Sequence, residues 1–332
     1  MNFKHVKSPC CGAEIRRFGG RRRQCTKCKR TWRIRPKKRG RPQHRFAINR
    51  LQKVFLQNFS LKQLFSGRLQ IKLPAYHRRF RQHLKKLIST PHNPDIPEGR
   101  LILLADGIWF RFEGKPWVLY LAALKSCFGK SAVFLKPFLF PGKEGGSKWQ
   151  KVFSAIPEDT RHKICALVVD NLNGMQMIAR ENNWLLQLCH FHMLIKLKVC
   201  RKRIQRKLKG GSIRAEIYDL VTYALRARDP QKLNATLNRL EFLSKGDLAT
   251  KRIRATIRDF LDCFGYYRTY LDYPNLQLPT TTNTMESMWA VLRGMLRHSR
   301  AGSNPKSLLM WAEALIRVKG SLVCNGEKIN QI

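Results

Sequence analysis

The sequence predicts a multidomain chain. A small cysteine-knuckled unit and a helical trio precede a larger α/β domain, which an all-helical insertion interrupts. Three observations predict this. Four of the ten cysteines crowd into positions 10–28. From residue 99 to 212, strand-like and helix-like runs follow one another as β-β-β-α-β-α-β-α. Residues 213–270 then read as helical throughout, before two last amphipathic helices within 275–320.

The first unit, 1–35, has Gly12, Gly19 and Gly20 as turn formers between strand-like pieces. Cys25-Thr-Lys-Cys28 is a CxxC knuckle, and zinc needs two such thiolate pairs in a tetrahedron. Ser8-Pro9-Cys10-Cys11-Gly12 resembles a Cys-Pro-x-Cys-Gly knuckle with Ser8 where its first cysteine belongs. The ligands are therefore either Cys10 and Cys11 together with Cys25 and Cys28, or a set in which His5 supplies the fourth. A unit of about 30 residues holds no core without a staple. Zn²⁺ is the expected cofactor and a zinc ribbon the expected fold, with packed or free thiols as the alternative.

Residues 36–45 form a basic linker too charged and too broken by proline to pack. Within it, Arg39-Gly40-Arg41-Pro42 matches the core of an AT-hook. There Arg39 and Arg41 flank a glycine thin enough for a narrow A·T minor groove; alternatively they touch phosphates only. Over 46–90, Ile48, Leu51, Val54 and Phe55 share one helical face, Ser60 can cap a short second helix, and 75–87 forms a third. That third helix sets Tyr76, Phe80, Leu84 and Leu87 on one side and Arg78, Arg79, Arg81, His83, Lys85 and Lys86 on the rest. It suits a helix-turn-helix reading a major groove, or a bundle whose basic face coats phosphate. Pro91, Pro94 and Pro97 mark the boundary.

Charge names the partner. Lysine and arginine number 65 against 21 acids, a net charge of +44. Residues 1–90 hold 27 of the bases and one acid, Glu14, so +26 of the excess lies there. A charge so concentrated calls for a polyanion, with affinity driven by release of phosphate counterions. Anionic membrane would want an amphipathic basic helix or a lipid anchor, and neither is evident. The longest apolar runs, such as 117–124, fall far short of the roughly 18 residues that span a bilayer. The basic N-terminus lacks the apolar stretch of a signal peptide, and ten cysteines are too sparse for a disulfide scaffold. The expectation is an intracellular, DNA-associated protein of a prokaryotic cytoplasm or nucleoid.

In the α/β domain, strands are expected at 101–112, 117–124 and 132–140 as an antiparallel meander. A helix over 148–156, a strand at 164–169, a helix over 175–181, a strand at 184–189 and a long basic helix follow. This order is that of a ribonuclease-H-like fold, in two parts (99–212 and 275–320) around the insertion 213–274. The later helices are expected over 284–298 and 305–318, with a polar tail at 321–332. Three acids stand out. Asp106 lies inside the apolar run Leu101-Ile-Leu-Leu-Ala-Asp106, Asp170 ends Ala166-Leu-Val-Val-Asp170, and Glu286 opens the helix after Thr280-Thr-Thr-Asn-Thr-Met. Carboxylates among apolar strand residues are costly unless something compensates, and a divalent cation compensates both burial and mutual repulsion. An all-oxygen set suits Mg²⁺ or Mn²⁺, two ions serving phosphodiester chemistry. Bland alternatives exist: Asp106-Gly107 as a hairpin turn, Asp170 as a helix cap, Asn283 and Glu286 as a capping box.

These acids, with Cys189-His-Phe-His192 and Thr281-Thr-Asn-Thr-Met-Glu286…Leu292-Arg293, resemble the Mutator-type (MULE-like) group of DDE transposases. The resemblance covers about residues 99–320 and extends to the zinc ribbon of some members. It implies a ribonuclease-H-like catalytic domain with a helical insertion between the second Asp and the Glu. Asp106, Asp170 and Glu286 would be the catalytic acids. His192 would stand beside them or near DNA; otherwise Cys189 and His192 merely pack. The partners it implies are terminal inverted repeats and target DNA, bound by at least a dimer. Arg293 and Arg297, seven and eleven residues beyond Glu286, share its helix face and would hold a phosphate, or form a solvated basic face. Rival readings are a non-catalytic DNA-binding regulator descended from a transposase, and a ribonuclease-H-like nuclease without strand transfer.

Overall fold

Turn chemistry shapes the N-terminal unit. Gly12, at φ +69°, occupies a loop that the Ser8 amide closes by donating to the Ala13 carbonyl at 2.7 Å. Strands β1 (Ile15–Arg17), β2 (Arg22–Cys25) and β3 (Thr31–Arg33) follow as an antiparallel sheet in that order. The structure, a computed structural model, describes residues 7–19, 22–33, 55, 73–89, 94–202, 211–298 and 300–323. It divides into two units, Met1–Ala47 and Ile48–Ile332. His5, the Arg39 and Arg41 linker and, apart from Phe55, the first two helices expected over 46–72 lie outside the described residues.

The expected third helix forms as α1 (Leu73–Ser89). Its apolar seam, Tyr76, Phe80 and Leu84, is fully buried. Phe80 stacks on Trp311 with ring centroids 5.2 Å apart, Phe55 meets the same indole edge-on at 5.7 Å, and an Arg317 Nη1 donates to the Leu87 carbonyl at 2.7 Å. Arg78, Arg81, Lys85 and Lys86 stay exposed and Arg79 half-buried.

The longest apolar runs of the sequence become the longest strands. β4 (Leu101–Phe112) and β5 (Lys115–Ser126) pair antiparallel over their whole length, Leu101 with Ser126 and Phe112 with Lys115. Glu113 and Gly114 make the turn at φ 50° and 76°, the positive-φ backbone a two-residue hairpin requires. Asp106-Gly107 is therefore mid-strand and not a turn. The single strand expected at 132–140 is instead two, β6 (Ser131–Phe134) and β7 (Phe138–Pro141), each paired with β5. Pro137 separates them, because proline has no amide to give a ladder.

Helices α2 (Gly146–Ser154) and α3 (Glu158–Arg161) lead to β8 (Ile164–Val169), which lies parallel to β4. After α4 (Met175–Glu181), β9 (Leu185–Leu188) lies parallel to β8. Helix α5 (His190–Lys202) leaves the sheet, and α6 (Gly211–Ala224), α7 (Pro230–Lys245), α8 (Lys251–Asp262) and α9 (Phe264–Asp272) make up the insertion. The chain returns as α10 (Asn283–His298) and α11 (Pro305–Lys319). The tail expected from 321 begins as a strand, β10 (Ser321–Val323), paired antiparallel with β6. The sheet order is β10-β6-β5-β4-β8-β9, a mixed α/β arrangement compatible with the ribonuclease-H-like order expected from the sequence.

The insertion closes the open edge at β9. Gln187, fully buried, donates through Nε2 to the Tyr267 carbonyl at 3.0 Å and accepts from the Tyr270 amide at 2.8 Å, while Thr269 Oγ1 donates to the Leu186 carbonyl at 2.6 Å. An unpaired strand edge templates association; here side chains and α9 occupy it. Tyr120, Trp149, Phe153 and Trp184 build the core on the face that α2 covers, Tyr120 meeting Trp149 edge-on at 4.8 Å.

Trp311→Ala should destabilise the larger unit by about 3–5 kcal/mol, the range for deleting a buried large aromatic. Urea unfolding measures it. A loss below about 1 kcal/mol would mean that α1 is not anchored through this indole.

Candidate metal centre

Asp106 is placed by the β4–β5 ladder, halfway along a strand whose neighbours are buried on both faces. It is 6% exposed. The Gly107 amide donates to its Oδ1 at 2.9 Å and the Trp289 Nε1 to its Oδ2 at 2.7 Å. Trp289 lies three residues after Glu286 on α10, so one helix face brings both to Asp106. His192 stands between the two acids, its Nε2 3.7 Å from Asp106 Oδ1 and 3.6 Å from Glu286 Oε1. One donor atom from each of Asp106, His192 and Glu286 falls within 4.8 Å of the others.

Asp170 stands beside this trio and outside that cluster. Leu104 pairs with Val168, so two residues further along each parallel strand Asp106 and Asp170 come level. Asp170 accepts from the Asn171 amide at 2.7 Å and from Lys196 Nζ at 3.3 Å. It does not cap the next helix, which starts after Gly174. His192 and Lys196 are four apart on α5, one turn facing Asp106 and Glu286 and the next facing Asp170.

The Cys189–His192 motif divides its work. Cys189, buried at the end of β9, receives the Thr282 amide on its sulfur at 3.3 Å, and the His190 amide donates to the Thr280 carbonyl at 2.8 Å. These bonds pin the segment that leads into Glu286. His190 Nε2 lies 2.7 Å from the Tyr267 carbonyl, and burial drops this imidazole to about 4. It is a structural histidine, and His192 alone of the two reaches the acids. Arg293 and Arg297 are exposed on α10 beyond Glu286.

A fourth acid joins them that sequence reasoning missed. Glu144, in the loop before α2, accepts from Trp149 Nε1 at 3.0 Å. A Cβ on Gly107 would lie 2.5 Å from Glu144 Oε1, so the carboxylate rests directly over the residue that follows Asp106. No local signal marks it. Glu113-Gly114 and Glu144-Gly145 are the same dipeptide, yet the first is an exposed hairpin turn.

The electrostatics follow from crowding acids out of water. Burial pushes Asp106 up to about 7, with the Glu286 charge adding and His192 opposing. Burial, with help from Asp170, also raises Glu144 against the hydrogen bonds of Trp149 and Trp109. Burial alone would lower His192, but Cys189 and the Asp106 and Asp170 carboxylates outweigh it and hold the ring up at about 10. Facing carboxylates, one of them deeply buried, with one imidazole between them, form a donor set that a divalent cation satisfies.

In the N-terminal unit, Cys10 and Cys11 both join Cys25 and Cys28, all four sulfurs within 4.8 Å. Cys10 lies 3.2 Å from Cys28 and Cys11 3.2 Å from Cys25. Zn–S bonds of about 2.3 Å put tetrahedral sulfurs about 3.8 Å apart, so the cluster could hold zinc. Ser8 and the Cys28 amide hold the Cys25 thiol down at about 5, favouring the thiolate that binds metal. Ser8 itself is buried, its Oγ 3.7 Å from the Cys11 sulfur.

No family model and no curated protein matches the chain. Among solved structures the chain is similar to the Drosophila P element transposase strand transfer complex, at 10% identity over 82% of this chain and 99% of that chain, with a TM-score of 0.37. A likeness that faint carries no argument about function. No described helix is long and apolar enough to cross a membrane.

Asp106, raised from an ordinary 3.8 to about 7, keeps a proton in the folded state that the unfolded chain has released. Metal-free protein should therefore lose stability as pH climbs from about 4 toward 7. His192, raised from 6.5 to about 10, extends the loss upward, its contribution present below 6.5 and gone above 10. Urea unfolding across pH should show Asp106→Asn flattening the lower window. An unchanged slope there would remove Asp106 as its cause.

Proposed function

We propose that the chain is a DNA transposase of the Mutator type. Asp106, Asp170 and Glu286 would hold two divalent ions, Mg²⁺ or Mn²⁺, for phosphodiester cleavage and strand transfer. The observation that carries this reading is the convergence of Asp106, His192 and Glu286 within 4.8 Å, with Asp170 level on the adjoining strand, in a chain of net charge +44. Acids scarce in so basic a chain, gathered on two adjoining interior strands and a helix, are the arrangement a cation site needs.

Ions bound there would activate a water or a 3′-hydroxyl and stabilise the leaving oxygen. The chain's own residues do the rest. Trp289 and the Gly107 amide lock the Asp106 carboxylate in one orientation, which is the preorganisation an in-line displacement needs. His192 is placed to give or take a proton beside the reacting phosphate. Arg293 and Arg297 extend the Glu286 face toward a flanking phosphate. Residues 1–90 supply the recognition of terminal inverted repeats, and pairing two ends requires at least a dimer.

The test is incubation of the protein with DNA flanking its gene and Mg²⁺, mapping nicks and joined products. Asp106→Asn, Asp170→Asn and Glu286→Gln should each reduce cleavage by three orders of magnitude or more, about 4 kcal/mol, while end binding persists. Cleavage retained by any of the three sinks the assignment for that residue. Nicks without joined products would mark a nuclease, and binding without either a regulator.

The cysteine cluster is proposed to carry one Zn²⁺. Elemental analysis should find about one zinc per chain, lost in Cys25→Ser/Cys28→Ser. Equal zinc in that variant would place the metal elsewhere.

A further inference from the structure

Glu144 has no role in the three-acid reading, yet its setting is that of a ligand. The chain holds only 21 acids, and this one is half-buried with no ion pair among the described residues. Tryptophan indoles, Trp149 at 3.0 Å among them, are what orient it. Neutral donors position a carboxylate without neutralising it, which leaves its charge for something else.

The backbone makes room for it twice. Gly107 lacks the Cβ that would sit 2.5 Å from Glu144 Oε1 and 2.7 Å from its Cδ. At the other end of the loop, Gly146 packs on the backbone of Gly174: a Cβ on Gly146 would meet the Asn173 carbonyl at 3.2 Å and the Gly174 Cα at 3.3 Å. That contact presses the Glu144 loop against the segment following Asp170. The loop thus delivers a carboxylate over Gly107, the strand neighbour of Asp106. It is close enough for its charge to act on both Asp106 and Asp170, and no lysine or arginine pairs with it among the described residues.

We infer that Glu144 is a fourth carboxylate ligand of the metal centre, shared with Asp106 and Asp170. The inference rests on the metal-site reading proposed above and assigns a residue to it. It explains why Gly107 follows Asp106: a side chain there would evict the ligand.

Mn²⁺ binding to the full chain, followed by the paramagnetic signal of the free ion, tests this without DNA. Wild type should bind two Mn²⁺. Glu144→Gln keeps the shape and the Oε1 that accepts from Trp149, so a purely structural role predicts no change. A ligand role predicts one of the two affinities weakened about tenfold or more, with thermal stability in EDTA equal or higher because a buried like charge is gone. Gly107→Ala should weaken the same affinity, since its Cβ displaces the end of the Glu144 side chain. If Glu144→Gln binds two Mn²⁺ as wild type does while Asp106→Asn does not, the Glu144 assignment is overturned and the site stands. If wild type binds no Mn²⁺, both fall.

Discussion

The constraint on which the larger unit depends is the burial of Asp106. A carboxylate in the middle of a strand, almost wholly out of water, must find partners, and among the described residues neither a lysine nor an arginine pairs with it. Its partners are an indole N–H, a backbone amide, an imidazole and other acids. An arginine there would have given a satisfied structural ion pair. The neutral donors hold the carboxylate still, and the acids around it outnumber the one imidazole that opposes their charge, a poor arrangement for stability and a good one for cation binding.

The remaining elements can be understood as the means of bringing distant residues to that point. The β4–β5 ladder places Asp106 and the parallel pairing of β8 places Asp170. Glu286 arrives from beyond a helical insertion, and two anchors guide it: Cys189 and His190 hold the 280–282 segment, while Gln187 and Thr269 hold the end of the insertion on β9. The insertion is therefore tied to the sheet immediately before the chain turns into α10. A loosened bond at Cys189 would misplace Glu286 without touching any acid.

Much of this was legible in the sequence. Buried strands announce themselves as long apolar runs, which bounds Leu101–Phe112 and Ile164–Val169 as the structure has them. Asp106 and Glu286 could be singled out because each interrupts or caps an apolar pattern, and His192 only through what the family resemblance of Cys189-His-Phe-His192 implies. Glu144 was illegible: its loop reads as solvated, and only the tertiary approach of Gly107 and of the Gly146–Gly174 contact reveals it. The break at Pro137 and the edge strand Ser321–Val323 were missed for a related reason. Three or four residues carry too little periodicity to register, and their pairing is decided by the neighbouring strand.

The contact of α1 with α11 has a mechanical side. Phe80 and Leu87 tie the helix bearing Arg78, Arg79 and Arg81 to the helix that follows the one carrying Glu286. A reading head on a loose tether samples many distances; this helix is bolted to the frame that holds the acids. Should α1 grip DNA, the fold itself would act as a ruler, setting the number of base pairs between the sequence gripped and the bond presented for cutting.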